Sequence, residues 1–401
     1  MATIAAIQTV IALGIDMMVP ALGQIAQGLG VVAGNERQWV LTAFVLAFGA
    51  AQIPYGIAAD RFGRKPVLVV ALSLYALGAF AAAAAPSFAA LILARILQGI
   101  GGAGAQVVTV SVVRDCYAGR RMAQVNSFVF IVFLAAPIFA PSIGQLVLMV
   151  LPWPAIFWGL GLYGMFIAAW VAWRLPETQH KGDQRAVSWA DFSAGLRFTL
   201  ANRTSLGYTL GVMLLLGAWL GFINSAQQVF AVIFRVPHLF PAIFAAISVG
   251  MAVAALVNAR LVERLGMRRL THGAMLGFIA VSLLQAGLAC AGADGLVKFA
   301  LVQGGIMFCF GLLAGNCNAI AMEPMGHIAG TAAAVQGVIG TLGAASIGSL
   351  IGLGFDGTLR PIALGFCAAG ASCLCVVLWS EGGRLFTARA TKQALAADSA
   401  P

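Results

Sequence analysis

Two charged residues stand within apolar stretches of the sequence, and their chemistry suggests coupling between a proton and a second ligand. Asp16 follows an apolar run near the N-terminus, and Arg95 has apolar residues on both sides. Apolar surroundings favour the neutral form of a carboxyl group, whereas a nearby cation favours the carboxylate. An acid under both influences can take up a proton and release it when a substrate binds. A static ion pair that only joins two helices is the alternative for Asp16 and Arg95.

The composition around these two residues is typical of a protein that crosses a membrane many times. Of the 401 residues, 61% are hydrophobic and 9% are charged, whereas a soluble domain has about 25% charged residues. Charges are costly inside hydrocarbon, so segments that lack them mark the spans. An isolated span must satisfy its own backbone hydrogen bonds and is therefore predicted to be an α-helix. We predict twelve helices, at residues 2–23, 37–58, 66–85, 88–112, 123–149, 153–174, 206–230, 239–259, 270–291, 295–320, 328–353 and 359–380.

The basic residues indicate the orientation of these spans. The net charge is +10, and most of the 23 lysines and arginines fall in the loops on the side of the two termini. Loops rich in Lys and Arg stay in the cytoplasm. We therefore predict a multi-pass protein of the inner (plasma) membrane with both termini in the cytoplasm. The basic surplus reflects this topology and does not indicate a nucleic-acid partner.

Asp16 and Arg95 are predicted to lie at a similar depth in the membrane. At a rise of ~1.5 Å per residue, Asp16 is ~20 Å from the inner end of the first span and Arg95 ~10 Å from the outer end of the fourth. The hydrocarbon core is ~30 Å thick, so both can reach one cavity and couple proton to substrate. Neutral polar residues within the spans complete the predicted substrate cavity: Gln98, Gln106, Asn224, Gln227, Gln228, Gln303 and Gln336.

The sequence repeats itself at a spacing of roughly 200 residues, as transporters built from two parallel halves do. Residues 56–65 (GIAADRFGRK) are echoed by residues 259–269 (ARLVERLGMRR), and residues 140–144 (APSIG) by 344–348 (AASIG). The echoes predict an all-α membrane protein of two pseudo-symmetric six-helix bundles, with a binding site between them. The predicted divisions are an N-terminal bundle at 1–177, a cytoplasmic linker at 178–205, a C-terminal bundle at 206–380 and a cytoplasmic tail at 381–401.

These motifs resemble those of a known family. Residues 56–65 resemble the loop signature of the major facilitator superfamily, and residues 95–101 (RILQGIG) are similar to its R-x-x-Q-G-x-G motif in the fourth span. In the fifth span, Pro137, Pro141 and Gly144 resemble the family's antiporter motif. This sequence departs from that motif at Ala140 and Gln145. Three shorter stretches are similar to the bicyclomycin/chloramphenicol-resistance (Bcr/CflA-type) drug:proton antiporters: residues 14–21, 38–40 and 175–178.

The resemblance implies a conformational latch at the loop signature. Asp60 would lie at the N-terminus of the eleventh helix, and Arg64 would pair with Asp115 at the end of the fourth. The second half has Met267 in the place of Arg64, which predicts a weaker second latch; a role in topology alone is the alternative. The residues of the predicted latch are Gly56, Asp60, Arg61, Gly63, Arg64, Lys65, Asp115, Glu263 and Arg264.

The predicted function is secondary active efflux of drugs or antibiotics. Asp16 is the predicted proton site of an antiporter that works by alternating access on small amphipathic, drug-like substrates. The proton gradient supplies the energy without a cofactor, and the resemblance implies a monomer. An uptake carrier for a small organic anion or metabolite, with Arg95 as the anion ligand, is the alternative. The 7 cysteines and 4 histidines show no metal-ligand spacing, and no nucleophile motif indicates an enzyme.

Overall fold

The computed structural model describes residues 2–31, 35–117, 138–179, 189–293 and 295–386, and within these ranges the regular structure is entirely helical. The α-helices are α1 (Ala2–Asp16), α2 (Leu22–Gly28), α3 (Trp39–Phe62), α4 (Arg64–Ala83), α5 (Phe88–Cys116), α6 (Ile138–Val150), α7 (Pro154–Arg174), α8 (Trp189–Ala201), α9 (Arg203–Gln228), α10 (Phe240–Leu265), α11 (Met267–Cys290), α12 (Leu296–Met322), α13 (Ala329–Leu353) and α14 (Arg360–Ser380).

Eleven helical segments of the described chain are long and apolar enough to cross a membrane. Their bounds follow the predicted spans closely: α4 covers Arg64–Ala83 for the predicted 66–85, and α7 covers Pro154–Arg174 for the predicted 153–174. The predicted fifth span, at 123–149, begins outside the described residues. Its second part is the apolar helix α6.

The first span is interrupted next to its acidic residue. α1 ends at Asp16, a 3₁₀ turn covers Val19–Ala21, and α2 begins at Leu22. Pro20 has no backbone N–H and therefore cannot donate to the carbonyl of Asp16. We call residues 17–21 the first-helix break. The break leaves backbone carbonyls at the end of α1 without their usual partners four residues on.

The helices pack in two groups. In the first, α4 packs on α5 and α7, α3 packs on α5, and α1 contacts α5 and α7. In the second, α14 packs on α9 and α11, α12 packs on α10 and α11, and α13 lies on α9. Contacts between the groups run from α3 to α13 and from the first-helix break to α9. Within the predicted linker, α8 packs on α9 and α13. The exact bounds of the two halves stay a prediction.

Glycines let α5 approach two neighbouring helices at once. A Cβ on Gly101 would collide with the backbone of Tyr75 in α4, and a Cβ on Gly99 would collide with the carbonyl of Phe44 in α3. Small residues of this kind allow close contact between membrane helices. They fix the rotation of α5, so that Arg95 and Gln98 point into the first half.

Candidate functional site

Asp16 lies in the interior at the end of α1. Its side chain is 3% exposed, and its Oδ1 has no hydrogen-bond partner among the described residues. A buried carboxylate without partners is costly. The carboxyl group therefore sits where a proton, a water molecule or a rearrangement of the break must satisfy it.

Arg95 is fully buried and is held by neutral groups. Its Nε donates to the carbonyl of Val40 at 2.9 Å, its Nη2 to the carbonyl of Gly14 at 3.0 Å, and its Nη1 to Gln98 Oε1 at 2.5 Å. The guanidinium also lies 4.4 Å from the centre of the Phe44 ring, a favourable cation–π distance. Gly14 lies two residues before Asp16, so the two charges do share a depth. No ion pair between Asp16 and Arg95 is present in the described chain.

The first-helix break explains this choice of partners. The carbonyl of Gly14 lies in the last turn of α1, where the donor four residues on is no longer helical. Arg95 supplies the missing donor. It acts as a clamp between α1, α3 and α5 in this conformation, and a static Asp16–Arg95 bridge is not seen.

The predicted antiporter motif lies against the same break. A Cβ on Gly144 would collide with the carbonyl of Met17 and lie 3.2 Å from Cγ of Pro20. Pro141 is in the same helix, α6, and Pro137 lies outside the described residues. The structure thus brings α6, through Gly144, to the segment that follows Asp16.

A cavity of about 1000 Å³ lies between the two halves. Its walls are formed by α1, α3 and α5 on one side and by α13 on the other, and it runs from Ile15 to Asp60 and Asp115. We call the end of the bundle with Asp60, Arg64 and Asp115 the Asp60 end. Pockets that hold drug-sized molecules reach ~1000 Å³, so the volume suits a small-molecule substrate.

The opposite end of the bundle is closed. Gln38 Nε2 donates to Gln228 Oε1 at 2.7 Å and to the carbonyl of Gly352 at 2.8 Å. Asn35 Nδ2 donates to the carbonyl of Leu353 at 2.9 Å, and Ser349 Oγ donates to a threonine hydroxyl of α3 at 2.8 Å. These contacts join α3 and the segment that precedes it to α9 and α13. We call this end the Asn35 end.

The predicted cavity residues are distributed differently. Of the seven, all of which lie in the described chain, Gln106 lines the large cavity and Asn224 lines a small neighbouring pocket beside Ile15. Gln98 holds Arg95, and Gln228 belongs to the closed end, with Gln227 next to it in α9. The remaining two bond elsewhere: Gln303 accepts from Gln285 at 2.8 Å, and Gln336 donates to Ser205 Oγ at 2.9 Å.

Several polar cavity residues are absent from the predicted set, among them Gln8, Gln52 and Thr341. Gln52 Nε2 lies 3.3 Å from Thr341 Oγ1 and so connects the two halves. The signal for Gln8 was available, because Gln8, Ala12 and Ile15 recur at the spacing of one helix face. The predicted set contains amides of other spans but none of the first or second.

The loop signature forms a charged cluster at the Asp60 end. Arg64 Nη1 lies 2.6 Å from Asp60 Oδ1, and its Nε lies 3.0 Å from Asp115 Oδ2, the pairing that the resemblance implied. Glu177 accepts from the backbone N–H groups of Arg64 at 2.9 Å and Lys65 at 3.1 Å. An acid is favourable at a helix N-terminus, so Glu177 caps α4.

The other members of the predicted latch lie around this cluster. Gly63 has a φ of 96°, a conformation that suits glycine, and it makes the turn from α3 to α4. Gly56 lines the cavity, and the Arg61 guanidinium stacks over the Phe62 ring at 5.2 Å. Asp60 lines the cavity as well, together with residues of the first turn of α13. A bond from Asp60 to that helix end is not seen in the described chain.

The second half carries a charged cluster that matches the one around Arg64, although Met267 stands in the place of Arg64 in the repeat. Arg268, the residue after Met267, takes the place of Arg64: its Nη2 lies 2.8 Å from Glu323 Oε2 and its Nε 3.0 Å from Glu381 Oε1. Glu381 follows α14 as Glu177 follows α7. The second cluster is therefore not missing its arginine. Glu263 and Arg264 make no ion pair within the described residues.

The sequence matches a known family over most of its length. A profile of the Major Facilitator Superfamily matches residues 4–352. A bicyclomycin resistance protein homolog of Haemophilus influenzae is 27% identical over 349 residues, which cover 84% of this chain and 85% of the relative. A chloramphenicol resistance protein of Pseudomonas aeruginosa is 29% identical over 362 residues, which cover 84% of this chain and 80% of the relative.

Solved structures share the fold. The crystal structure of a D-xylose–proton symporter superposes with a TM-score of 0.74 at 14% identity and covers 97% of this chain and 99% of its own. The inward-open xylose transporter XylE from E. coli gives a TM-score of 0.70 at 15% identity and covers 99% of this chain and 98% of its own. The predicted fold, two six-helix bundles of the major facilitator type, is confirmed. The chain belongs to the Major Facilitator Superfamily and is a multi-pass membrane transporter rather than an enzyme.

Proposed function

We propose that the protein is a proton-coupled antiporter that exports small amphipathic, drug-like molecules by alternating access. In this proposal Asp16 is the proton site, and the Asp60 end faces the cytoplasm, as does each terminus, in the inner membrane. The proton gradient drives export, and the transporter acts as a monomer without a cofactor.

The observation that carries the proposal is the cavity between the halves. It reaches the Asp60 end, where the basic loops lie, while the Asn35 end is closed by contacts between α3, α9 and α13. A carrier in this state can be loaded from the cytoplasm. Reversal of the two closures around a fixed central site would deliver the substrate to the other side.

The names of the relatives support a drug-like substrate. The similar proteins of H. influenzae and P. aeruginosa are named for resistance to bicyclomycin and chloramphenicol. Export is the transport direction that gives resistance, and it agrees with a cavity that faces the cytoplasm.

The position of Asp16 supports its role as the proton site. It is a buried acid at a helix break, and its neighbour Ile15 lines both the large cavity and the small pocket near Asn224. A protonated carboxyl group can remain buried, whereas a carboxylate needs water or a cation. A movement of the break that opens Asp16 to one side would therefore release its proton there.

Arg95, the anion ligand in the uptake-carrier alternative, already binds protein groups in this structure. The Nε, Nη1 and Nη2 atoms of Arg95 all donate to protein oxygens, and Arg95 does not line the cavity. An anion would have to displace the clamp on α1 and α3 in order to bind there.

The test is substrate-induced proton release in reconstituted vesicles with an imposed pH gradient, with chloramphenicol and tetraphenylphosphonium as substrates. We expect Asp16→Asn to insert normally but to abolish both proton release and uphill accumulation, because an amide cannot exchange the proton. The matched control is Asp356→Asn, which alters an exposed acid bonded to Thr358 and should retain activity. Uphill accumulation by Asp16→Asn would place the proton site elsewhere.

A further inference from the structure

Ionisable residues on the cavity wall are confined to one end. Asp60, Arg64 and Asp115 lie at the Asp60 end, where Arg64 pairs with both acids. The remaining wall, as far as the described residues form it, consists of apolar, amide, hydroxyl and glycine residues. Asp16 and Arg95, the charges nearest the deep part, do not line it.

The undescribed part of the fifth span does not change this picture. Residues 122–137 contain no Asp, Glu, Lys, Arg or His, so that segment cannot bring a charge to the cavity. A charged ligand in the deep part would leave water without gaining a counter-charge. Transfer of an unpaired charge into such surroundings is strongly unfavourable.

Three glutamines supply the side-chain amides of the deep wall: Gln8 from α1, Gln52 from α3 and Gln106 from α5. Counted from the helix ends at the Asp60 end, Gln8 lies ~9 Å deep and the other two ~15 Å deep, at a rise of ~1.5 Å per residue. All three belong to the first half and form a band of similar depth across its cavity face.

The amides of this band are largely unused. The side chains of Gln8 and Gln106 make no hydrogen bond to another residue of the described chain, and Gln52 makes the long contact to Thr341 at 3.3 Å. Each amide offers two N–H donors and one carbonyl acceptor. They can therefore bind hydroxyl, amide or carbonyl groups, and they carry no charge to attract an ion.

The facing wall is of the opposite kind. α13 presents Gly330, Ala333, Ala334 and Gly337 to the cavity, a row of small residues at the spacing of one helix face, together with the hydroxyl groups of Thr331 and Thr341. Such a face offers shape and apolar contact but few polar groups. A ligand that spans the cavity therefore meets amides on one side and a mainly apolar surface with two hydroxyl groups on the other.

From these features we infer that the cavity selects uncharged amphipathic molecules with hydroxyl or amide groups, and that Gln8, Gln52 and Gln106 determine this selectivity. The inference rests on the proposed function, since it names the substrate class of the same cavity. It excludes lipophilic cations and organic anions as preferred substrates.

Equilibrium binding to the purified full-length protein in detergent tests the inference without any proton gradient. Radiolabelled chloramphenicol is the neutral probe, tetraphenylphosphonium the cation and benzylpenicillin the anion. We expect the two ions to compete at least tenfold more weakly than unlabelled chloramphenicol. Gln52→Leu and Gln106→Leu should each weaken chloramphenicol binding by about tenfold, the usual worth of a hydrogen bond or two.

A substitution that adds a negative charge to the band tests the inference more sharply. Gln52→Glu adds a carboxylate to the band and should strengthen binding of tetraphenylphosphonium while it weakens that of chloramphenicol. Gln24→Glu, the same change at an exposed residue of α2 outside the cavity, is the matched control and should alter neither. Gel filtration and thermal midpoints establish that each variant is folded. Gln52→Asn replaces Gln52→Leu if the latter does not fold.

Preference of the wild-type protein for either ion, or failure of the neutral probe to bind, overturns the inference. So does neutral binding that is unchanged by the glutamine substitutions. These results are separable from the proposed function: proton release induced by tetraphenylphosphonium would leave antiport intact while the substrate class fell. Neutral binding with no proton release would leave the substrate class intact while antiport fell.

Discussion

The two ends of the helix bundle are held by different chemistry. At the Asn35 end, neutral groups cross between the halves, as Gln38 does when it bonds to Gln228 and to the Gly352 carbonyl. At the Asp60 end, the ion pairs among the described residues each stay within one half: Arg64 pairs within the first and Arg268 within the second.

This difference separates two mechanical tasks. The amide contacts at the Asn35 end hold the halves together, and they are short-range bonds that are lost as soon as the halves part. The charged clusters at the Asp60 end tie helix ends together within each half. Such clusters let each half move as a rigid body, while their charges face the mouth of the cavity. Closure and stiffness should therefore respond to different substitutions.

The largest effect is expected for Gln38→Leu. The change removes both buried bonds, which costs about 1–3 kcal/mol and shifts a two-state equilibrium by about fivefold to a hundredfold. The halves should separate at the Asn35 end. Distances between spin labels at Gln27 and Asp356, in a background without the 7 native cysteines, measure this. An unchanged distance distribution would mean that other contacts close this end.

A smaller effect of a different kind is expected for Arg64→Met. It leaves Asp60 and Asp115 close together without their shared cation, and partial exposure of both acids limits the cost to about 1–2 kcal/mol. The thermal midpoint should fall by about 2–5 °C, while the label distance at the Asn35 end stays unchanged. Arg268→Met in the second half is the matched change and should behave alike. A shift in the label distance without loss of stability would contradict the division of tasks.

The smallest effects are expected for single acids of the predicted latch. Asp60→Asn loses one partly exposed pair while Arg64 keeps Asp115, so turnover should fall by about fivefold or less for a change of ~1 kcal/mol. Glu263→Gln alters an exposed acid that makes no ion pair within the described chain and should remain near wild type. Transport rates measured in parallel decide this. Equal losses of transport rate in the two variants would contradict this expectation. They would show that the position of an acid in the repeat, and not its ion pair, determines its role in transport.

The spans could be predicted from the sequence because one strong physical term determines them. Charges are excluded from hydrocarbon, so gaps between charges locate helices such as α7 and α14 to within a residue or two. The interruption at Pro20 is equally local, since it follows from a missing N–H. Depth along a helix could also be counted, which is why Asp16 and Arg95 were placed at one level.

The direction in which each side chain points could not be predicted, because it depends on the packing of neighbouring helices. Gln98 and Gln106 lie on the same helix and look alike in sequence, yet the first holds Arg95 and the second lines the cavity. The partner of Arg95 was missed for a related reason. A carbonyl freed by a helix break is an acceptor that no residue type reveals.

The uncharged wall around Gln8, Gln52 and Gln106 has an electrical consequence. If one proton enters for each neutral molecule that leaves, every cycle carries one positive charge inward. A membrane potential of ~100 mV then contributes ~2.3 kcal/mol per cycle, equivalent by itself to an accumulation ratio of about fiftyfold. Export would be electrogenic, and it would continue in a medium at cytoplasmic pH for as long as the membrane stays polarised.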